Sequence, residues 1–186
     1  DALSCFDATR RGALWAAGAH GGAAGIRRGG FTQPALPIEV GATAPALPQM
    51  DDATEAVADV WATGVSPGSY PTQFVRPQLD ALGVVTTARM RAIPNKTRVR
   101  VAGVVTHRQR PATAKGVTFL SLEDETGLAN IICPATVWSR YRRIARTSAA
   151  LIVRGMVEHA DGVSNVLAES LTELPLKVPS VSRDFQ

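Results

Sequence analysis

The sequence predicts a mainly β chain: a five-stranded barrel with one helix, preceded by a short helical connector and a Gly/Pro-rich linker. Three observations carry this. From Lys96 onward, apolar residues alternate with the period of a strand. Turn signals at Asp124-Glu-Thr-Gly127 and Asp161-Gly162 divide the alternating runs. One run with helical period, opened by Pro134, is inserted among them.

Taken in order, Asp7 to Gly18 reads as a short helix, with Asp7 able to cap it and Gly18 able to close it. Leu14 and Trp15 give it an apolar side too small to fold without tertiary packing. The stretch 19–49 is rich in Gly, Ala and Pro and reads as linker. Its cluster Gly21-Gly-Ala-Ala-Gly25 lacks the spacing and strand–helix context of a phosphate loop. Residues 50–95 form the connector. Asp51 to Thr63 has helical spacing, with Ala53, Ala56, Val57, Val60 and Trp61 on one face. Pro71 to Leu82 is a second helical piece with Phe74, Leu79 and Leu82 inward, interrupted or kinked by Pro77. Gly83 closes it.

Strands are expected over Arg98–His107, Val117–Glu123, Leu128–Cys133, Ala149–Val157 and Val163–Leu171. A helix from Pro134 to about Arg146 carries the stripe Val137, Trp138, Tyr141, Ile144 and Ala145. The order β-β-β-α-β-β, over 96–175, is the layout of the OB-fold. Gly103 and Gly155 fall inside strands, where a strongly bent barrel strand tolerates or requires a missing side chain. Residues 176–186 read as an irregular tail.

Of the 186 residues, 45% are apolar and 19% charged, which supports a buried core and argues against wholesale disorder. The formal charge of +4 is uneven. Residues 1–95 hold 7 basic and 8 acidic side chains, and residues 96–186 hold 13 and 8. A basic barrel favours a polyanionic partner, because each phosphate contact releases counterions. The two thiols, Cys5 and Cys133, form no CxxC pattern and suit the reducing cytoplasm. No run reaches the length of a membrane span, so no membrane partner is expected. The chain opens on Asp1 without a signal peptide and reads as part of something longer.

Catalysis is not expected within these residues. The one dense acidic group, Glu123-Asp124-Glu125, lies on a turn that acidic residues favour in their own right. His20, His107 and His159 have no metal-ligand spacing. No nucleophile–base arrangement stands out, and no metal or cofactor is assigned.

Nucleic-acid contact has a better basis. An OB-fold binds with the loop joining its first two strands, the loop joining its last two, and the face of strands two and three. Here His107, Arg108, Arg110 and Lys115 would line a groove along a phosphate backbone, and Gln109 would bond to base or sugar. Arg100 and Arg154, together with Arg98, would extend the positive field. Phe119 is the aromatic of the central strands, and is either a core residue or a base-stacking platform. Arg140, Arg142, Arg143 and Arg146 read as the solvated face of the helix.

The run from Val104 to Asn130 resembles the C-terminal OB domain of the error-prone, DnaE-type (family C) bacterial DNA polymerases. The loop Arg108-Gln-Arg-Pro111 and the segment Phe119-Leu-Ser-Leu-Glu-Asp-Glu-Thr-Gly127 are its most specific parts. Ser182-Arg-Asp-Phe185 resembles that family's closing residues. Arg10-Arg-Gly-Ala-Leu-Trp-Ala-Ala-Gly18 resembles the end of its helix-hairpin-helix region, over 1–18. Asp59-Val-Trp-Ala-Thr-Gly64 and Leu79-Asp-Ala-Leu-Gly83 resemble its connector. Pro77 departs from the family, which tends to carry a polar residue there. The resemblance implies a Mg²⁺-dependent parent polymerase that copies damaged template, with its catalytic aspartates outside this sequence. It also implies that this barrel holds single-stranded DNA. The alternative is a module that docks polymerase accessory proteins or a sliding clamp.

Overall fold

The computed structural model describes residues 9–21, 27–28, 31–32, 44–160, 162–176 and 183–185. The chain divides into two compact units, 1–51 and 52–186.

In the first unit, helix α1 spans Arg10–Gly21. Its cap is Thr9, whose Oγ1 accepts from the Gly12 amide at 3.1 Å. The expected cap, Asp7, lies outside the described residues. The helix also runs through Gly18 rather than ending there. Leu14 and Trp15 are exposed and Ala13 is buried, so the small face that packs is not the one expected. Within the expected linker, β1 (Arg27–Arg28) and β2 (Phe31–Thr32) pair antiparallel.

The second unit opens with α2, Asp52–Thr63. Ala56 is its one buried residue, and Trp61 is 56% exposed, against the expectation of an inward face. Gly64 ends the helix at φ +75°. A 3₁₀ turn at Pro71–Val75 leads into α3, Arg76–Ala81. Pro77 stands in the first turn of α3 and therefore starts that helix instead of kinking one, since no intrahelical donor is lost there. Leu79 is buried as expected. Phe74 and Leu82 are exposed: Phe74 lies on the 3₁₀ turn, which buries Pro71 and Thr72 instead, and Leu82 caps the end of α3. A further helix, α4 (Thr87–Arg91), sets Met90 into the barrel core.

The barrel comprises β3 (Arg98–Gln109), β4 (Thr118–Asp124), β5 (Gly127–Cys133), β6 (Ala150–Ala160) and β7 (Val163–Glu173). It closes through the pairs β3–β4, β4–β5, β5–β7, β7–β6 and β6–β3, of which β5–β7 is parallel. This is the five-stranded OB arrangement. Alternate residues of every strand, among them Val101, Leu120, Ile131, Val153 and Val166, fill the interior. Each such side chain stabilises by about 1.5–3 kcal/mol when fully buried. Gly103 is required where β3 crosses β4: a Cβ there would stand 2.6 Å from the Glu123 carbonyl oxygen.

The inserted helix is two short ones, α5 (Ala135–Arg140) and α6 (Arg142–Thr147), broken at Tyr141. The apolar stripe survives the break, with Trp138 and Ala145 buried and the four arginines exposed. The tail is not wholly irregular. Its residues Arg183–Phe185 form β8, which pairs in parallel with His107–Gln109.

Candidate nucleic-acid interface

The first barrel strand sets the site. Its register against β4 shifts between Val105 and His107, a β-bulge that places Thr106 out of step. Alternation reverses beyond that point. Val99, Val101 and Val105 face inward before the bulge, and Arg108 faces inward after it.

Arg108 therefore departs from the expectation of a groove-lining cation. It is 5% exposed. Its Nε donates to the Ala145 carbonyl at 2.8 Å, and its Nη2 donates to the Ser148 carbonyl. These carbonyls close α6, so the guanidinium satisfies the helix end and complements its dipole. His107 is half-buried, with Nδ1 3.1 Å from Thr106 Oγ1.

The same reversal turns Gln109 outward, directly opposite Phe119 on β4. Phe119 is 40% exposed on the outer face, flanked on its other side by Ile132 of β5. Phe119 is thus not a core residue of the barrel. The loop after Gln109 folds over a 3₁₀ turn at Ala112–Ala114, then passes through left-handed backbone at Lys115 (φ 49°) and Gly116 (φ 87°). That turn brings the loop's two ends together. A Cβ on Gly116 would lie 3.7 Å from Arg110 Nη2. Arg110 and Lys115 are both exposed. The structure thus groups Gln109, Arg110, Lys115 and Phe119 at one end of the barrel.

Arg100 and Arg154 are not part of that group. They are direct neighbours across β3–β6. Arg100 stands nine positions along β3 from Gln109, roughly 30 Å of strand.

Sequence reasoning missed what the acidic turn does. Asp124 Oδ2 accepts from the Thr87 amide at 2.7 Å, and Oδ1 accepts from the Thr126 amide at 2.8 Å. Glu125 accepts from Arg76 Nη2 at 2.9 Å and from Thr72 Oγ1 at 2.6 Å. Burial alone would raise the Glu125 carboxyl, but the Arg76 guanidinium and the Thr72 hydroxyl outweigh it and hold the group below its ordinary value. Burial, and then the neighbouring Glu123, raise the Tyr70 phenol. The turn is a clasp for the connector. Its partners lie 37 to 53 positions away, so no local pattern announces them.

Among the described residues, no group of three or more His, Cys, Asp or Glu side chains is placed to hold a metal ion.

Residues 99–180 match the family described as OB-fold nucleic acid binding domain. Along its whole length the chain is 52% identical to an error-prone DNA polymerase of Mycolicibacterium paratuberculosis and 51% identical to one of Mycobacterium tuberculosis. It is 41% identical to the error-prone DNA polymerase of Corynebacterium glutamicum. The chain is homologous to a segment of the error-prone DNA polymerases. That segment is 16–17% of the length of these relatives. Among solved structures, the chain is similar to asparaginyl-tRNA synthetase from Pyrococcus horikoshii, with 23% identity and a TM-score of 0.43 over 53% of this chain and 24% of that one. It is also similar to the S. pombe Stn1–Ten1 complex, with 17% identity and a TM-score of 0.38 over 46% of this chain and 62% of that one. No described helix of the polymerase segment is long and apolar enough to cross a membrane.

Proposed function

We propose that this barrel holds single-stranded template for an error-prone, Mg²⁺-dependent polymerase of the cytoplasm during damage-tolerant DNA synthesis. The observation that carries the reading is the outward Phe119 beside Gln109, at the barrel end where Arg110 and Lys115 project. An exposed ring offers a base its face, which is worth about 1–3 kcal/mol per base in comparable sites. The two cations supply phosphate contacts, and Gln109 has both a donor and an acceptor for base or sugar. Synthesis itself belongs to residues outside this chain.

With so few phosphate contacts, the 186-residue chain binds oligonucleotides with about micromolar or weaker affinity, and the affinity falls steeply with salt. Fluorescence titration of labelled single-stranded and duplex oligonucleotides at two salt concentrations tests this. Preference for the single strand with a salt-sensitive constant is the expected result. Salt-insensitive binding, or equal binding of duplex, overturns the reading.

One feature favours a second reading, that of a dock for polymerase accessory proteins or a sliding clamp: Trp61 and Val65 of the connector are 56% and 61% exposed. Retained capture of a purified accessory protein by a variant with Arg110 and Lys115 reversed in charge, and its loss in Trp61→Ala, separates the two.

A further inference from the structure

The far end of β3 carries a second concentration of positive charge. Arg98 and Arg100 alternate on its outer face, and Arg100 stands directly opposite Arg154 of β6. Like charges in that relation are destabilising. Partial relief comes from Glu169 of β7, which lies 3.0 Å from Arg98 Nε and 3.8 Å from Arg154 Nε. Three guanidiniums against one carboxylate still leave positive charge in excess.

The arrangement is also concave and held in place. Arg100 Nη1 donates to the Leu82 carbonyl at 2.7 Å, which ties it to the end of α3. Leu82 of the connector and Ile152, Ser170 and Thr172 of the barrel complete a groove around Arg100 and Arg154. A guanidinium has more donors than that one bond uses, and its planar fork matches a phosphate group. The hydroxyls of Ser170 and Thr172 on the adjacent strand β7 add further donors.

We propose that Arg98, Arg100 and Arg154 form a second phosphate-contact site, so that the barrel engages one polynucleotide at two separated places. The proposal rests on the template-holding reading and deepens it. The loop end, with Phe119, grips bases; the Arg100–Arg154 groove takes a stretch of sugar–phosphate backbone. Linking two weak contacts through one strand raises avidity only when the strand is long enough to reach both.

The test is a length series of labelled oligothymidylates with the whole chain. One probe of about 6 nucleotides lies near the lower end of the site size of a single OB-fold, and one of about 24 exceeds its upper end. The wild-type chain binds the long probe more tightly and with a steeper salt dependence. In Arg100→Ala/Arg154→Ala the short-probe affinity is unchanged, while the log–log salt slope for the long probe falls by roughly two. Arg100→Lys/Arg154→Lys keeps the slope. Glu169→Gln steepens it, and carries the test if the alanine pair does not fold. An unchanged long-probe slope in a folded alanine pair overturns the second site, and intact short-probe binding then leaves the first reading standing. Equal losses for both probes mean one contiguous site and also overturn the proposal. A wild-type chain that binds neither length removes both readings together.

Discussion

The two ends of β4 both carry dense charge, in opposite situations. At its start, Arg110 and Lys115 project from the loop beside an exposed Phe119. At its end, Asp124 and Glu125 are taken up by the connector through Thr72, Arg76 and Thr87. The first charges face solvent; the second are consumed in holding two parts of the chain together. Density of charge therefore says little about function. What decides is whether a partner within the fold already satisfies it.

The largest expected effect comes from breaking the satisfied end. Asp124 is 3% exposed and accepts from two amides and the Thr126 hydroxyl. Asp124→Ala strands the Thr87 amide and removes one of the two carboxylates beside Arg76, whose bonds to Glu125 remain. A loss of about 3 kcal/mol of stability follows, measurable by urea unfolding. Oligonucleotide affinity of the folded fraction stays at the wild-type value. A comparable drop in affinity means that the two ends of β4 are coupled.

Two arginines two positions apart sharpen the comparison. Arg108→Met removes the donors to Ala145 and Ser148 and destabilises the chain by about 2 kcal/mol, leaving the salt slope of binding unaltered. Arg110→Met changes stability by no more than about 0.5 kcal/mol and lowers that slope by about one. The reverse assignment would show that Arg108, and not Arg110, makes the phosphate contact.

That contrast also marks how far the sequence could be read. All five barrel strands were legible, because period-two alternation over seven to twelve residues is a strong signal. Gly103 and Gly155 were legible as strand positions that tolerate or require a missing side chain, and the structure leaves no room for one. The inversion at Arg108 was not, since a β-bulge leaves no residue signature. Gln109 turns outward for the same reason, and Phe119 had two roles open until its register was known. Helix α4, at five residues, is too short for periodicity to reveal. β8, at three residues, is defined by its neighbour rather than by its own composition. Trp61 and Phe74 had the right spacing for an inward face, but spacing states which residues share a side and not whether anything covers it.

At the solvent-facing end, Phe119→Ala tests the stacking platform. The ring is 40% exposed, so the fold loses little. Single-strand affinity falls by about 1 kcal/mol, or roughly fivefold, with the salt slope intact because no phosphate contact is removed. Phe119→Trp retains affinity. Unchanged binding in the alanine variant means that the bases pass elsewhere, and the loop cations then act as a backbone contact alone.

The smallest effect returns to the clasp. Glu125 titrates below its ordinary value because Arg76 and Thr72 favour its ionised form over the cost of burial. A carboxyl depressed in the folded state binds protons more readily when unfolded. Its stabilisation is thus present above the unfolded value, about 4.5, and is lost as pH falls through the lower folded one. Since the pair is partly solvated, the contribution is below about 1 kcal/mol. Thermal melts between about pH 6 and pH 3 should show a decline that Glu125→Gln flattens, because glutamine keeps the Thr72 bond but has no proton to gain. Asp124 stays in place in that variant, so any acid sensitivity that persists belongs to the other carboxylates. Arg110→Met leaves the acid limb of the curve unaltered, since the loop end of β4 has no share in the clasp.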